Sequence, residues 1–104
     1  MNVEIINKKL AKWYEKGTLG KVYGPVIAAA FDDLVALILS VGTANELYNF
    51  KGARPEQLQG RPESSMRLNN KMRLIYTLGV VTIRWQGMEY DIPTLFIEGV
   101  EDYH

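Results

Sequence analysis

Apolar residues Ile6, Leu10, Trp13 and Tyr14 recur at helical spacing near the start of the chain, with lysines between them and Gly17 placed to stop the run. This pattern predicts a first short helix from Ile6 to Tyr14. Pro25 suits the first turn of a second helix, in which Ile27, Phe31, Leu34, Val35 and Ile38 form one apolar face, Asp32 and Asp33 point away, and Gly42 ends the element. Thr43-Ala44-Asn45-Glu46 has the spacing of a capping box, in which each end side chain bonds the other's backbone N–H, and predicts a third short helix through Tyr48.

After Gly52 the period of the apolar pattern shifts toward two, and Pro55, Gly60 and Pro62 break any helix. Met66 and Leu68 alternate with Arg67, Asn69-Asn70 is a tight-turn pair, and Met72 to Leu78 reads as the returning strand of a hairpin. Val80 to Trp85 predicts a third strand, Gln86-Gly87 a turn, and Leu95 to Ile97 a further strand after Pro93. Trp13, Tyr14 and Trp85 read as core aromatics. Helices first and an antiparallel sheet afterwards mark an α+β fold, with N-terminal helices packed on a small antiparallel β-sheet in one domain spanning 1–104.

Length and composition narrow the chemistry. A chain of 104 residues supports one modest core, and 47% hydrophobic with 23% charged residues is the make-up of an ordinary globular domain. There is no cysteine, which removes disulfides and thiol catalysis, and a single histidine, His104, argues against a histidine-built metal site. No cofactor and no metal are expected. The longest apolar runs, Val26 to Phe31 and Leu34 to Leu39, have six residues each, far short of the roughly 20 of a membrane helix. Met1 to Glu4 lacks the basic-then-apolar pattern of a secretory signal, so a cytoplasmic location is expected.

The formal charge is zero, but it is unevenly spread. Residues 1–50 carry five basic and five acidic groups; residues 51–84 carry seven basic against two acidic, a net +5; residues 85–104 carry five acidic groups and no Lys or Arg. Five of the seven central cations are Arg, whose guanidinium fork matches phosphate oxygens. The same distribution also fits a solvated sheet face balanced by an acidic tail folding beside it, and charge alone leaves both readings open. Gly17-Thr18-Leu19-Gly20 lacks the Lys-Ser/Thr and preceding strand of a phosphate loop, and a serine triad would need His104 as its base.

The run Glu56-Gln57-Leu58-Gln59-Gly60 followed by Ser65-Met66-Arg67-Leu68-Asn69-Asn70-Lys71-Met72-Arg73-Leu74-Ile75-Tyr76 resembles the hairpin core of the RelE/ParE toxin superfamily, in its HigB-like branch. The ending Val100-Glu101-Asp102-Tyr103-His104 resembles that branch's terminal Asp-Tyr-His, and Leu10 to Gly17 resembles its first helix and glycine. Two differences stand out. Thr77 to Gly99 is longer than the family's connection, with room for an extra strand or hairpin, and Met66, Leu68 and Met72 replace the usual isoleucines and tyrosine.

The resemblance implies a toxin of a type II toxin–antitoxin pair: a metal-independent endoribonuclease that cuts mRNA on the ribosome, inhibits growth, and is held by a helix-turn-helix antitoxin (HigA-like). In that chemistry the RNA 2′-hydroxyl attacks the adjacent phosphate, so the protein must move a proton, stabilise negative charge and assist the leaving oxygen. By resemblance, His104 and Tyr103 transfer or orient the proton, Asp102 holds the histidine, Arg67 and Arg73 stabilise phosphate charge, and Lys51, Arg54, Arg61 and Lys71 guide RNA. The family also leaves open a catalytically degenerate homologue that only grips its antitoxin, and a ParE-like gyrase inhibitor. Set against these roles, Arg67 can simply pair with Glu98 or Glu101 across the sheet.

Overall fold

A computed structural model describes residues Met1–Tyr103. Strand β1 (Asn2–Ile5) leads into helices α1 (Lys8–Glu15), α2 (Leu19–Tyr23) and α3 (Pro25–Ser40), then a 3-10 helix (Ala44–Asn49) and strands β2 (Glu56–Gln57), β3 (Ser64–Arg67), β4 (Met72–Trp85) and β5 (Met88–Asp102). The fold is α+β. Its single sheet has the order β1-β5-β4-β3-β2 and is mixed, because β1 runs parallel to β5 while every other pair is antiparallel. The expected all-antiparallel sheet is therefore corrected at one edge.

The helices form where the apolar spacing places them. Asn7 caps α1, its side-chain oxygen accepting from the Leu10 N–H at 3.1 Å. Pro25 opens α3 just after Gly24, whose φ of 90° only glycine adopts readily. α1 and α3 meet through Tyr14 and Phe31, whose ring centres are 5.5 Å apart, while Trp13 meets Tyr23 edge-on at 6.0 Å. The expected capping box does not form: the Glu46 carboxylate accepts from the Gly42 N–H at 2.8 Å, one residue before Thr43, and the Thr43 side chain caps nothing.

The core lies between the helices and one face of the sheet, where Leu10, Phe31, Ile38, Leu47, Met66, Leu74, Leu95 and Ile97 are fully buried. Alternation along a strand then sends Arg67 and Arg73 to the opposite face. The β4–β5 register slips between Ile75 and Tyr76, leaving Glu98 as the extra residue of a bulge. The Glu98 carbonyl accepts from the Asn7 amide at 3.2 Å, so one side chain caps α1 and ties it to the bulge. We expect Asn7→Ala to cost about 1 kcal/mol in urea unfolding, the usual loss for an N-cap; an unchanged midpoint would show that water replaces both bonds.

Residues Thr77 to Trp85 and Met88 to Pro93 run on beyond β3 and β1 as a two-stranded arm. It accounts for a long axis of 45 Å against 30 and 26 Å for the other two. The turn at its tip is Gln86-Gly87, with φ of 50° and 79°, the left-handed pair that suits a tight hairpin. Sequence alone split β4 in two at Gly79 and began the last strand after Pro93, whereas both strands continue. Trp85, expected in the core, is 65% exposed near the tip. Among the described residues no helix is long and apolar enough to cross a membrane.

A basic cavity as the candidate active site

Arg67, Arg73 and Glu101 stand side by side on three neighbouring strands, because Arg67 pairs with Arg73 and Arg73 with Glu101 in the sheet register. Two like charges opposed across a ladder repel, so this row needs compensation. Arg73 finds it in Glu101, at 3.8 Å, and in the Tyr103 ring, whose centre lies 5.5 Å from the guanidinium carbon. Its Nε is buried without a hydrogen-bond partner among the described residues. Arg67 turns instead to Asn70, whose side-chain oxygen accepts from its guanidinium.

Beside this row opens a cavity of about 310 Å³ lined by Arg54, Glu56, Arg67, Asn70 and Tyr103. Local sequence explains how each group arrives. Asn69 accepts from the N–H groups of Lys71 and Met72 at 2.9 and 2.8 Å, an Asx turn that closes β3 onto β4 and projects Asn70 outward. The Tyr103 N–H donates to the Lys71 carbonyl at 2.9 Å, which fixes the tyrosine at the cavity mouth. The Ala53 carbonyl accepts from the Arg67 N–H at 2.8 Å and brings the 50–56 loop alongside β3. Arg54 sits in that loop at a φ of 43°, a conformation uncommon for a side chain of its size and one that recurs at functional sites.

Arg61 is differently engaged. Its guanidinium forks onto Glu101 with two contacts of 2.9 Å and onto Glu63 at 3.1 Å, so it straps the 58–63 loop across β3 and β4 to β5. Beneath this strap Leu58, Ser65 and Ile75 are buried outside the main core. Hydrogen bonding from Arg61 holds the Glu101 carboxyl below its ordinary value, and the charge of Arg73 adds to the effect. A carboxyl lowered by folding stabilises the fold above its unfolded value of about 4.5 and loses that contribution as pH falls through the lower folded value. We therefore expect Glu101→Gln to lower the melting midpoint at pH 7 and to flatten its acid dependence below about pH 4.5; an acid limb parallel to that of the wild type would show that the pair adds nothing to stability.

The remaining sequence-derived candidates divide cleanly. Lys51 lines a second groove, of about 410 Å³, that shares Arg67 with the cavity. Lys71 is exposed on the β3–β4 turn and Asp102 is exposed at the end of β5, opposite Met72 and outside the cavity. His104 lies outside the described residues. The structure thus brings together Arg54, Arg67 and Tyr103, sets Arg73 behind Tyr103, and commits Arg61 to two carboxylates. Glu56 and Asn70 are the cavity residues that sequence reasoning did not single out. The pairing of Glu56 with Ser65 on β3 places it on the arginine face, a register that two-residue strands do not reveal in sequence.

No family model, curated protein or solved structure matches the chain. The cavity's chemistry therefore stands on its own residues. Two guanidinium groups, one carboxylate, an amide and a phenol can bind an anion, accept a proton and donate one. Among the described residues no three His, Asp or Glu side chains cluster as a metal site.

Proposed function

We propose that the chain is a RelE/ParE-like toxin of the HigB-like branch, an endoribonuclease that cuts mRNA on the ribosome without a metal ion. The observation that carries this reading is the meeting of Arg54, Arg67, Glu56, Asn70 and Tyr103 around one cavity. In the reaction the 2′-hydroxyl attacks the adjacent phosphorus, its proton leaves, and the bond to the 5′-oxygen breaks, giving a cyclic phosphate and a free 5′-hydroxyl. Glu56 is the carboxylate of the cavity able to accept the first proton, and Tyr103 is the hydroxyl able to supply one to the leaving oxygen. Arg54 and Arg67 stabilise the extra negative charge that develops on the phosphate. Arg73 keeps the Tyr103 ring in place, and in the roles that the family ending implies His104 shares the proton transfer with Tyr103 while Asp102, outside the cavity, holds the histidine. The partners of this reading are ribosome-bound mRNA and a helix-turn-helix antitoxin, in the cytoplasm.

One observation favours a second reading. Glu101 occupies Arg61 and Arg73 together, which removes two cations from the surface available to RNA. A degenerate toxin that only grips its antitoxin would carry such a neutralised face. Induction in bacteria without antitoxin, with mRNA 5′ ends mapped within minutes, separates the two. The nuclease reading expects growth arrest with new 5′ ends inside translated messages, and their loss in both Glu56→Gln and a variant lacking His104. Growth without new ends would leave the antitoxin-binding reading.

A further inference from the structure

Six of the twelve exposed large apolar side chains among the described residues lie on the arm, between Leu78 and Tyr90. Their arrangement follows from the turn. A two-residue turn makes Trp85 and Met88 a hydrogen-bonded pair, so the odd-numbered residues of β4 bond to β5 and the even-numbered ones, Leu78, Val80, Thr82 and Arg84, aim their N–H and C=O groups at the outer edge. β3 covers that edge only as far as Tyr76. The outer edge of β5 is guarded by Pro93, which has no N–H, and by Asp91 and Glu89. The β4 edge carries no proline and no lysine, and its one charge, Arg84, is held by Glu89 at 2.7 Å.

We propose that this edge pairs with itself, joining two copies of the chain into a dimer through antiparallel β4 strands. Charge excludes the chief rivals: the arm's one cation is already paired and Asp91 adds a negative charge, so the arm offers no match to nucleic acid or to an anionic bilayer. Size order along β4 favours a second copy. On the face that carries Trp85, the strand runs from small residues at its base, Thr77 and Gly79, to large ones near the tip, Ile83 and Trp85. A two-fold axis at Val81 sets Ile83 beside Gly79 of the second copy and Trp85 beside Thr77 of the second copy. The Phe96 ring of β5 lies over Gly79, 3.0 Å from where a Cβ would stand, so Ile83 of the second copy meets that ring and not an empty notch. The same axis opposes Val80 with Thr82, and Leu78 with Arg84, so outward backbone groups meet in pairs and no like charges face each other.

One short strand pairing covers less than the roughly 800 Å² per partner of a standard interface, and a weak dimer with a dissociation constant of about micromolar is expected. The inference does not depend on the nuclease reading. Sedimentation velocity of the full chain up to about 100 µM tests it. The expected result is a monomer–dimer equilibrium weakened at least about tenfold by Thr82→Pro, which removes an outward N–H and the exposed Thr82–Asp91 side-chain bond while sparing the backbone bonds to β5, and likewise by Trp85→Ser. Both sites are on the exposed arm, and circular dichroism checks that each variant keeps its fold. A wild-type chain that stays monomeric overturns the proposal and leaves the arm to a different protein. A dimer that survives Thr82→Pro overturns it as well, because the copies would then meet face to face or elsewhere.

Discussion

Arg67→Ala is expected, on the proposed nuclease reading, to lower mRNA cleavage by about 10²–10³-fold, the usual loss when one donor to a developing oxyanion is removed. The same variant should melt at or slightly above the wild-type midpoint. Arg67 lines the cavity and bonds only Asn70 with its guanidinium, so truncation removes a charge at the reacting phosphate without opening the core. It also removes a cation set directly opposite Arg73, and relief of like-charge repulsion across a ladder is worth a few tenths of a kcal/mol, about the scale of such cross-strand pairs. Cleavage read from 5′-end mapping and stability read from thermal melting therefore move in different directions. Cleavage that survives intact would place the chemistry outside this cavity.

Phe31→Ala should have the opposite profile, removing activity only by unfolding the chain. Phe31 is fully buried at the centre of α3 and packs on Tyr14 of α1. Its truncation leaves a cavity between helices and sheet and is expected to cost about 3–5 kcal/mol in urea unfolding. Domains of this size have about 5–15 kcal/mol in total, so the variant will stand near its unfolding midpoint at growth temperature. A loss below about 1 kcal/mol would mean that the site collapses around the smaller side chain.

How much of this was legible before the fold was known depended on the range of the determining contacts. α3 and the β3–β4 hairpin follow from patterns contained within a few turns of chain, and both appear where the pattern puts them. β1 has four residues, and its strand character comes from β5, so no local signal marked it. α2 is a five-residue helix held against α3, too short to show a period. Trp85 illustrates a different limit: alternation identifies which side chains share a face, but says nothing about whether another layer covers that face. In the site, Arg67 and Tyr103 were named from sequence and do share the cavity. The readings of charge as phosphate footprint and as neutralised face each describe part of the outcome, since Arg54 and Arg67 line the cavity while Arg61 and Arg73 meet Glu101. The Arg61–Glu101 bridge spans 40 residues of chain, and no spacing rule reaches that far.

The parallel pairing of β1 with β5 also governs how the molecule is made. Asn2 bonds Thr94 across 92 positions of sequence, and β1 pairs with no other strand. During synthesis the helices can gather while β1 waits with its backbone bonded to water, and the sheet closes only after Thr94 to Ile97 have left the ribosome. Pairings of such long range cost loop-closure entropy before they return any contact, which places refolding among the slower domains, on a scale of about milliseconds to seconds. The cavity inherits that delay, because Tyr103 and the Glu101 clamp on Arg61 both arrive with the end of β5. A nascent chain therefore lacks this cavity until its last described strand locks the first one in.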